Sequence, residues 1–391
     1  MNGEKPVKKS LVVLLAVSAL LVGACQASAT PAPAASAAVP TVVASTAPAS
    51  AGATPAASVA LAAGRRVAFF VPWTQDIWYV VGIQGAKEMA ASLGIQLDVY
   101  DANNKVETQI QQFDTALATN PEAIVLSSVD PAGMVPSIEK AHDQGIKVVV
   151  YDRPIYATTK MDGLVVLDTT NLGDIACKSV VKALTDKYGS PKGTVVRAYG
   201  DLADTWVTGI STGWDPCISQ YPDIKVLKAS SGQWDPVQSA ANVSQLLASH
   251  PEIDAITLDS DFLATGILTD LKTGSYGKVG EPKHIYMIGD GGTNEALQAI
   301  RDGWMDATIN NPVPDFTGAA VKFADMLANG QPIPQQWVEP GKAWSPATIT
   351  NNVPAANAPY AGPVLNMKNF VVDKSTVDDP TLWGNIAAKT K

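Results

Sequence analysis

The sequence predicts an α/β protein whose parallel sheets are covered by helices on both faces. From Arg66 onward, short apolar runs rich in β-branched residues alternate with longer amphipathic runs. That alternation is typical of parallel strands connected through helices. The chain has 391 residues, enough for two domains, and 46% of them are hydrophobic, enough for a buried core.

The strands and helices can be placed in order along the chain. The apolar runs predict strands at Val67–Val71, Ile95–Tyr100, Ala123–Ser127, Lys147–Tyr151, Leu164–Leu167, Thr194–Ala198, Lys225–Leu227, Ala255–Leu258, Ile285–Ile288, Asp306–Ile309 and, as a last strand, Val364–Val372. A first helix is indicated by the spacing of Ile83, Ala86, Met89, Ala90 and Leu93 before the cap residue Gly94. Further helices are predicted around Glu107–Ala118, Pro136–Gln144, Leu172–Lys187, Val237–Ala248, Thr265–Lys272, Thr293–Arg301 and Thr317–Ala328.

The N-terminus has the pattern of a bacterial lipoprotein signal. Three lysines precede the apolar run Leu11–Val22, which is too short to span a membrane. The run ends in a motif that resembles a lipobox, Leu21-Val22-Gly23-Ala24-Cys25. We therefore expect residues 1–24 to be a signal peptide and Cys25 to carry the lipid that anchors the protein outside the cytoplasm. The alternative is an ordinary cleaved secretion signal with an incidental cysteine.

The composition of residues 25–63 predicts a disordered tether. The segment after the cysteine consists almost entirely of Ala, Pro, Ser, Thr, Val and Gly, and it carries no charge. Such a segment lacks the large apolar side chains that offset the entropy cost of ordering a chain. We expect it to hold the folded part away from the membrane.

Composition excludes several classes of partner. The net charge of −9 argues against nucleic acid, because binding to phosphates needs clustered Lys and Arg. Three His and three Cys make a zinc site improbable, and we expect neither a metal nor a cofactor. In an oxidising compartment Cys177 and Cys217 can form a disulfide; the alternative is two buried free thiols. We expect the chain to act as a monomer.

Candidate binding residues follow the predicted strands. In parallel sheets, ligands bind at the carboxyl ends of the strands. Asp76, Trp78 and Tyr79 follow the first strand, and aromatic rings beside a carboxylate suit the apolar faces and hydroxyl groups of a sugar. The alternative is that both rings belong to the core. Asp152 and Arg153 follow the fourth strand, where they can bond neighbouring hydroxyls or form a structural ion pair.

Later strands are followed by further polar and aromatic residues. They include Trp206, the segment Gly232-Gln233-Trp234-Asp235, the segment Asp259-Ser260-Asp261 and the segment Gly289-Asp290-Gly291-Gly292. The last segment lacks both the Lys-Ser/Thr and the spacing of a phosphate loop, so its glycines predict a tight turn instead.

From about Arg66 to Gly330 the order of these segments resembles the periplasmic sugar-binding proteins of the ribose, galactose and xylose type. The residues that carry the resemblance are Asp76 with Trp78 and Tyr79, Asp152-Arg153, Trp234-Asp235, Ser260-Asp261, and Asn310 or Asn311 after a late strand. Two departures argue against ribose itself. The family's Arg after Gly200 is replaced by a segment containing Trp206, and the Asp of the Gly-X-Asp turn is displaced to Asp290.

The resemblance implies two doubly wound parallel-sheet lobes joined by a crossover hinge, the fold of a type I periplasmic binding protein. It places the first lobe at residues 64–167 plus about 312–345, the second at 168–311, and a C-terminal extension packing on the lobes at 346–391. It implies capture of a monosaccharide or polyol by hinge closure and delivery to the permease of an ABC importer, without enzyme activity. The residues expected to bind the ligand are Asp76, Trp78, Tyr79, Asp152, Arg153, Trp206, Trp234, Asp261, Asp290 and Asn311, with Trp78 and Trp234 stacking on opposite faces of the ligand.

Other functions remain open on the sequence alone. A ligand-sensing lipoprotein that acts on a membrane receptor would need the same binding fold. A glycosidase would need a catalytic pair of carboxylates, and no such motif stands out. A transcription regulator of the lactose-repressor type would need a helix-turn-helix before Val67, which the sequence does not provide.

Overall fold

The computed structural model describes residues 65–350, 360 and 362–387. The expected signal peptide, lipidation site and tether, residues 1–24, Cys25 and 25–63, lie outside the described residues. Within the described ranges, no helix is both long enough and apolar enough to cross a membrane.

The described chain alternates strands and helices as the sequence predicts. The strands are β1 (Arg66–Val71), β2 (Gln96–Asp101), β3 (Ala123–Leu126), β4 (Lys147–Tyr151), β5 (Gly163–Leu167), β6 (Gly193–Tyr199), β7 (Ile224–Ser230), β8 (Ile253–Leu258), β9 (Tyr286–Gly291), β10 (Ala307–Asn310), β11 (Gln336–Trp337), β12 (Ala347–Thr350), β13 (Val364–Met367) and β14 (Phe370–Asp373). The helices are α1 (Ile77–Ser92), α2 (Val106–Ala118), α3 (Val135–Asp143), α4 (Thr169–Tyr188), α5 (Thr205–Ile218), α6 (Pro236–Ser249), α7 (Ala264–Thr273), α8 (Asn294–Asp302), α9 (Val313–Ala328) and α10 (Trp383–Ala387).

The strands of the described residues form two sheets, one in each lobe. In the first lobe the order is β11-β12-β13-β5-β4-β3-β1-β2, and every neighbouring pair from β13 to β2 is parallel. In the second lobe the order is β14-β10-β9-β8-β6-β7, and β14 is the antiparallel member. The predicted α/β class with two parallel-sheet lobes is confirmed.

Strand β1 shows why these sheets need helices on both faces. Val67 and Phe69 pack in the core that contains α9, whereas Ala68 and Phe70 pack in the core that contains Phe113 of α2. All four side chains are fully or almost fully buried. Because side chains alternate along a strand, a continuous apolar run must bury both of its faces.

The expectation of one last strand over Val364–Val372 is wrong. The run is interrupted at Lys368 and Asn369: Val364–Met367 pairs with β5 in the first sheet, and Phe370–Asp373 pairs with β10 in the second. A continuous apolar run does not reveal that its two halves belong to different sheets. The C-terminal residues therefore supply strands to both sheets, in addition to packing against the lobes.

The described chain passes between the lobes at three places, and two of these are tied together. The passes lie at Asp168, at Asn311-Pro312 and at Lys368-Asn369. The Asn369 side-chain amide donates a hydrogen bond to the Asn311 Oδ1. The connection between the lobes is therefore a small cluster of segments, two of which are hydrogen-bonded to each other.

Helices α4 and α5 pack closely in the second lobe and are joined by a disulfide. A Cβ added to Gly173 would lie 2.0 Å from the Ile210 carbonyl oxygen, so the helix backbones approach as closely as glycine permits. The Cys177 and Cys217 sulfur atoms are bonded at 2.02 Å. Because α5 begins beside the cleft, this link fixes the helix that presents Trp206.

Candidate functional site

A cavity lies between the lobes at the carboxyl ends of their strands. It is lined by Trp73, Asp76, Trp78, Tyr79, Asp152, Arg153, Asp204, Trp206, Trp234, Asp259, Ser260, Asp290 and Asn311. The lining residues come from both lobes, so the cavity is complete only when the lobes are close together.

Most residues that the sequence singled out reach this cavity, but Asp261 does not. Its carboxylate accepts hydrogen bonds from the backbone N–H groups of Gly292, at 2.7 Å, and Thr293, at 3.1 Å, and from the Thr308 hydroxyl. Among the residues expected to bind the ligand, Asp261 therefore stays outside the cavity lining, because its oxygens are occupied in holding the turn behind the site.

The first wall of the cavity is the N-terminus of α1. Asp76 caps this helix, since its Oδ1 accepts the backbone N–H of Trp78 at 2.9 Å. The Tyr79 ring meets the Trp78 ring edge to face, with centroids 4.9 Å apart. Burial raises the pKa of the Asp76 carboxyl to about 6, and the Trp78 N–H opposes that change only in part.

Asp152 is held by hydroxyl donors of its own lobe. Its Oδ2 accepts hydrogen bonds from the Tyr79 hydroxyl at 2.7 Å and the Ser127 hydroxyl at 2.9 Å. Its backbone has φ of 66°, a conformation that non-glycine residues rarely adopt. Burial raises the pKa of this carboxyl to about 6 despite the opposing effect of Arg153. Such local strain is common where a side chain must be aimed at a ligand.

Arg153 is already engaged by protein groups. Its Nη1 donates to the Ser128 carbonyl oxygen at 3.1 Å, and its guanidinium lies 4.6 Å from the centre of the Trp73 ring. Its Nη2 lies 2.9 Å from the Asp204 Oδ2 in the opposite lobe. Arg153 therefore forms an ion pair within the protein, which was the alternative considered from the sequence. Its close partner is Asp204, because the Asp152 Oδ2 lies 3.9 Å from the Arg153 Nε.

Asp204 organises the second lobe's side of the cavity. Its Oδ1 caps α5 by accepting the Trp206 backbone N–H at 2.9 Å, and its Oδ2 accepts the Trp234 indole N–H at 3.0 Å. The Trp206 indole N–H donates to the Asp259 carbonyl oxygen at 3.3 Å. One carboxylate therefore caps the helix that presents Trp206 and orients the Trp234 ring.

Trp234 reaches the cavity because Gly200 leaves room for its ring. A Cβ on Gly200 would lie 2.2 Å from the Trp234 Cη2. Trp234 itself has φ of 61°, a second strained backbone at this site. The position of the ring thus depends on a glycine in a neighbouring loop.

Asp259 lines the cavity and is supported from behind by Arg197. The Arg197 Nε and Nη2 donate to the Asp259 Oδ1 at 3.3 and 3.2 Å. The guanidinium lies over the Tyr199 ring at 4.2 Å and near the Trp214 ring at 5.5 Å. Burial raises the pKa of Asp259 to about 6, and Arg197 lowers it only in part.

Sequence reasoning missed two lining residues, Trp73 and Asp204, and it placed Asp259 and Ser260 in a candidate segment without expecting either to bind the ligand. A signal existed for Asp259, which directly follows β8 just as Asp152 directly follows β4. Asp204 had the signal of a helix cap before α5, but a cap alone does not indicate a binding site.

Among the carboxylates that line the cavity, Asp290 has the fewest groups that would stabilise its negative charge. It is 2% exposed, and its Oδ1 has no hydrogen-bond partner. Burial raises the pKa of this carboxyl well above its usual range, and nearby Asp261 and Asp259 add to the effect. Asn311 and Trp206 counteract it only in part. Despite these carboxylates, no group of three or more His, Cys, Asp or Glu side chains in the described part of the chain is placed to hold a metal ion.

Comparison with known sequences places the chain among binding proteins. A family model described as periplasmic binding protein domain matches residues 67–332. The D-apiose import binding protein of Paraburkholderia graminis is 25% identical over 263 residues, which cover 67% of this chain and 81% of that protein. A xylitol-binding protein of Mycolicibacterium smegmatis is 26% identical over 254 residues, which cover 64% and 69%.

Solved structures share the architecture. A carbohydrate transporter solute-binding protein from Agrobacterium radiobacter, in complex with D-arabinose, matches with a TM-score of 0.68 and 17% identity over 83% of this chain and 99% of that chain. An ABC transporter solute-binding protein from Agrobacterium vitis, bound with α-D-tagatopyranose, matches with a TM-score of 0.66 and 20% identity over 82% and 98%. At these identities the likeness shows the fold.

Proposed function

This chain belongs to the periplasmic binding protein domain family, and we propose that it captures a monosaccharide or related polyol outside the cytoplasm and delivers it to an ABC importer. The observation that carries the proposal is the cavity between the lobes, where indole rings and carboxylates face one space. Rings can stack on the C–H faces of a sugar while carboxylates accept from its hydroxyls. The names of the relatives, D-apiose import binding protein and xylitol-binding protein, support the same class of ligand.

Binding would operate through closure of the lobes. In this mechanism Asp76 and Asp152 bond the ligand from the first lobe, and Asp259, Asp290 and Asn311 bond it from the second. A ligand that touches both lobes has a higher affinity for the closed form and therefore increases its population. Trp78 and Trp234, which come from opposite lobes, would stack on the two faces of the ligand.

The proposed location follows from the N-terminal motif and the family. The matched relatives are solute-binding proteins rather than enzymes, and this chain is likewise a binding protein. Lipid attachment at Cys25, a flexible tether over residues 25–63 and a monomeric state in solution complete the proposal. A tethered monomer could reach the permease while it remains at the membrane.

Calorimetry on the full chain tests the proposal once a thermal-shift screen of monosaccharides and polyols has identified a ligand. Asp152→Ala should weaken binding by several kcal/mol, because it leaves buried polar partners without their acceptor. Trp234→Ala should also weaken binding, by removing a large apolar contact. Asp223→Asn, an exposed site outside the cavity, is the control and should bind as wild type does. Binding by both cavity variants within about threefold of wild type would place the site elsewhere.

A further inference from the structure

The cavity contains far more negative than positive side chains. Five carboxylates line it, those of Asp76, Asp152, Asp204, Asp259 and Asp290, against the single guanidinium of Arg153. A neutral sugar needs acceptors for its hydroxyls, but it also needs donors for its oxygens, and carboxylates supply only acceptors when ionised. The imbalance therefore favours a ligand rich in donors.

The positive charge of Arg153 is not free to serve the ligand's oxygens. Its Nη1 is directed to the Ser128 carbonyl oxygen and its Nη2 to the Asp204 carboxylate. Arg197, which lies behind the cavity, is directed to Asp259. Each guanidinium near the site thus compensates a particular aspartate.

The negative charge of Asp290 is not balanced by a guanidinium in this way. No cation pairs with it among the residues that the structure describes, and its buried Oδ1 lacks a hydrogen-bond partner. Asp259 and Asp261 stand close enough to act on it as like charges. A buried carboxylate in these surroundings is costly unless a positive group or a strong donor comes to it.

The aromatic lining provides a second feature that suits a cation. Trp73, Trp78, Tyr79, Trp206 and Trp234 all face the cavity. Indole and phenol faces attract an ammonium group as well as the C–H face of a ring, and aromatic cages with nearby carboxylates bind ligand cations. Trp73 already makes this kind of contact with Arg153, at 4.6 Å.

From these observations we infer that the ligand carries a protonated amine: it is an amino sugar or an aminated polyol, whose ammonium group pairs with the Asp290 carboxylate while its ring or carbon chain stacks on the tryptophans. This inference rests on the proposed function, since it names the ligand class of the same site. The ammonium group supplies the positive charge that Asp290 lacks and a donor for its unpartnered Oδ1.

The test uses matched compounds that differ only at the amine. Calorimetry on the full chain compares glucosamine with glucose, galactosamine with galactose, mannosamine with mannose, and glucamine with sorbitol. In at least one pair the amine should bind about tenfold or more tightly than its parent, equivalent to about 1.4 kcal/mol. The corresponding N-acetyl sugar keeps the nitrogen but loses the charge, so it should lose that advantage.

The variant Asp290→Asn tests whether the preference for the amine depends on this residue. The variant keeps the size of the side chain and removes its charge, so the ratio of amine to parent affinity should fall to below about threefold. Asp223→Asn, the same change at an exposed position, should leave the ratio unchanged. Since the ratio and the N-acetyl comparison are also measured on wild type, a poorly folded variant does not remove the test.

The outcomes separate this inference from the proposed function. If a parent sugar or polyol binds and its amine form binds no tighter, the inference is wrong and sugar binding stands. If the amine preference exists but Asp290→Asn retains it, the assignment to Asp290 is wrong. If neither this panel nor the wider screen of saccharides and polyols yields a ligand, the inference and the proposed function fail together.

Discussion

Arg153 and Asp204 belong to different lobes and form a buried ion pair across the cleft. The Arg153 Nη2 lies 2.9 Å from the Asp204 Oδ2, and their side chains are 7% and 4% exposed. The same carboxylate oxygen accepts the Trp234 indole N–H at 3.0 Å. Because one partner follows β4 and the other follows β6, the pair can exist only while the lobes are close together. It therefore links lobe closure directly to the orientation of a cavity tryptophan.

Asp204→Asn should weaken ligand binding and favour the open form. The amide keeps the shape of the side chain but leaves the buried Arg153 charge without its counterion. Removing one member of such a pair costs about 2 kcal/mol or more, so Kd should rise by about thirtyfold or more. Small-angle scattering should give a larger radius of gyration than wild type at the same ligand concentration.

The exposed substitution Asp223→Asn controls for the loss of one negative charge and should change neither quantity. Wild-type affinity and wild-type compaction in Asp204→Asn would show that the cross-lobe pair is incidental to closure.

Gly200→Ala should displace the Trp234 ring. The new Cβ would lie 2.2 Å from Cη2, so the ring or the loop must move. Overpacking of this kind costs about 1–3 kcal/mol of stability, and Kd should rise about tenfold because the stacking surface is lost. Calorimetry and denaturant unfolding measure the two effects separately.

Gly94→Ala is the matched control for Gly200→Ala. Its added Cβ would meet no atom within 4 Å, although φ of 67° makes alanine unfavourable there. It should lose stability by about 1 kcal/mol or more and keep wild-type affinity. Equal affinity in both glycine variants would mean that the ring position is unimportant.

The rule that ligands lie after parallel strands located much of the cavity from sequence. Asp152 and Trp234 were found because each follows a recognisable apolar run. Asp204 was missed because its importance depends on Arg153, a residue far away in the chain and in the other lobe. An ion pair across the cleft depends on how the two lobes are placed relative to each other, and the sequence pattern around each residue does not give that placement.

The choice between Asp259 and Asp261 shows a second limit. Both follow β8, and the family pattern pointed to the pair Ser260-Asp261. A short 3₁₀ turn over Asp261–Leu263 directs Asp261 to the backbone of Gly292 and leaves Asp259 at the cavity. A shift of two residues depends on a single turn, which periodicity does not resolve.

Replacing both Cys177 and Cys217 by Ala should lower the free energy of unfolding by about 4 kcal/mol. The estimate comes from the loop-closure entropy of residues 40 apart in sequence. Urea unfolding of the oxidised wild type and of the double variant gives the difference. Reduced wild type is the control and should resemble the variant. Two thiols that react with an alkylating agent in the native, unreduced protein would contradict the bridge.

Cys25→Ser should release the protein from membranes of the producing cell. The predicted anchor depends on acyl chains attached at this cysteine, and no helix among the described residues could replace it by crossing the membrane. Fractionation followed by a salt wash measures the distribution, with Cys177→Ala as a control that keeps the lipobox. A Cys25→Ser protein that stays with the washed membranes would overturn the lipid-anchor proposal.

Acidification should stabilise the unliganded protein relative to unfolding, through its buried carboxyls. Burial raises the pKa values of Asp76, Asp152 and Asp259 to about 6, above their unfolded value near 4. A raised pKa contributes stability that is fully present below the unfolded pKa and is lost as pH rises through about 6. These groups should therefore favour the folded state more at about pH 5 than at about pH 7.5.

Ligand binding should have the opposite pH dependence. Hydroxyl or ammonium donors bind the ionised carboxylates, so binding releases protons and the affinity falls as pH decreases from about 7.5 to about 5. Calorimetry in buffers of different ionisation enthalpy measures the proton release directly. Asp152→Asn removes one titrating group and should flatten the pH dependence of unfolding, whereas Asp223→Asn should not. The buried carboxylates would not be the groups that bind the ligand if affinity stayed constant over this range and no protons were released.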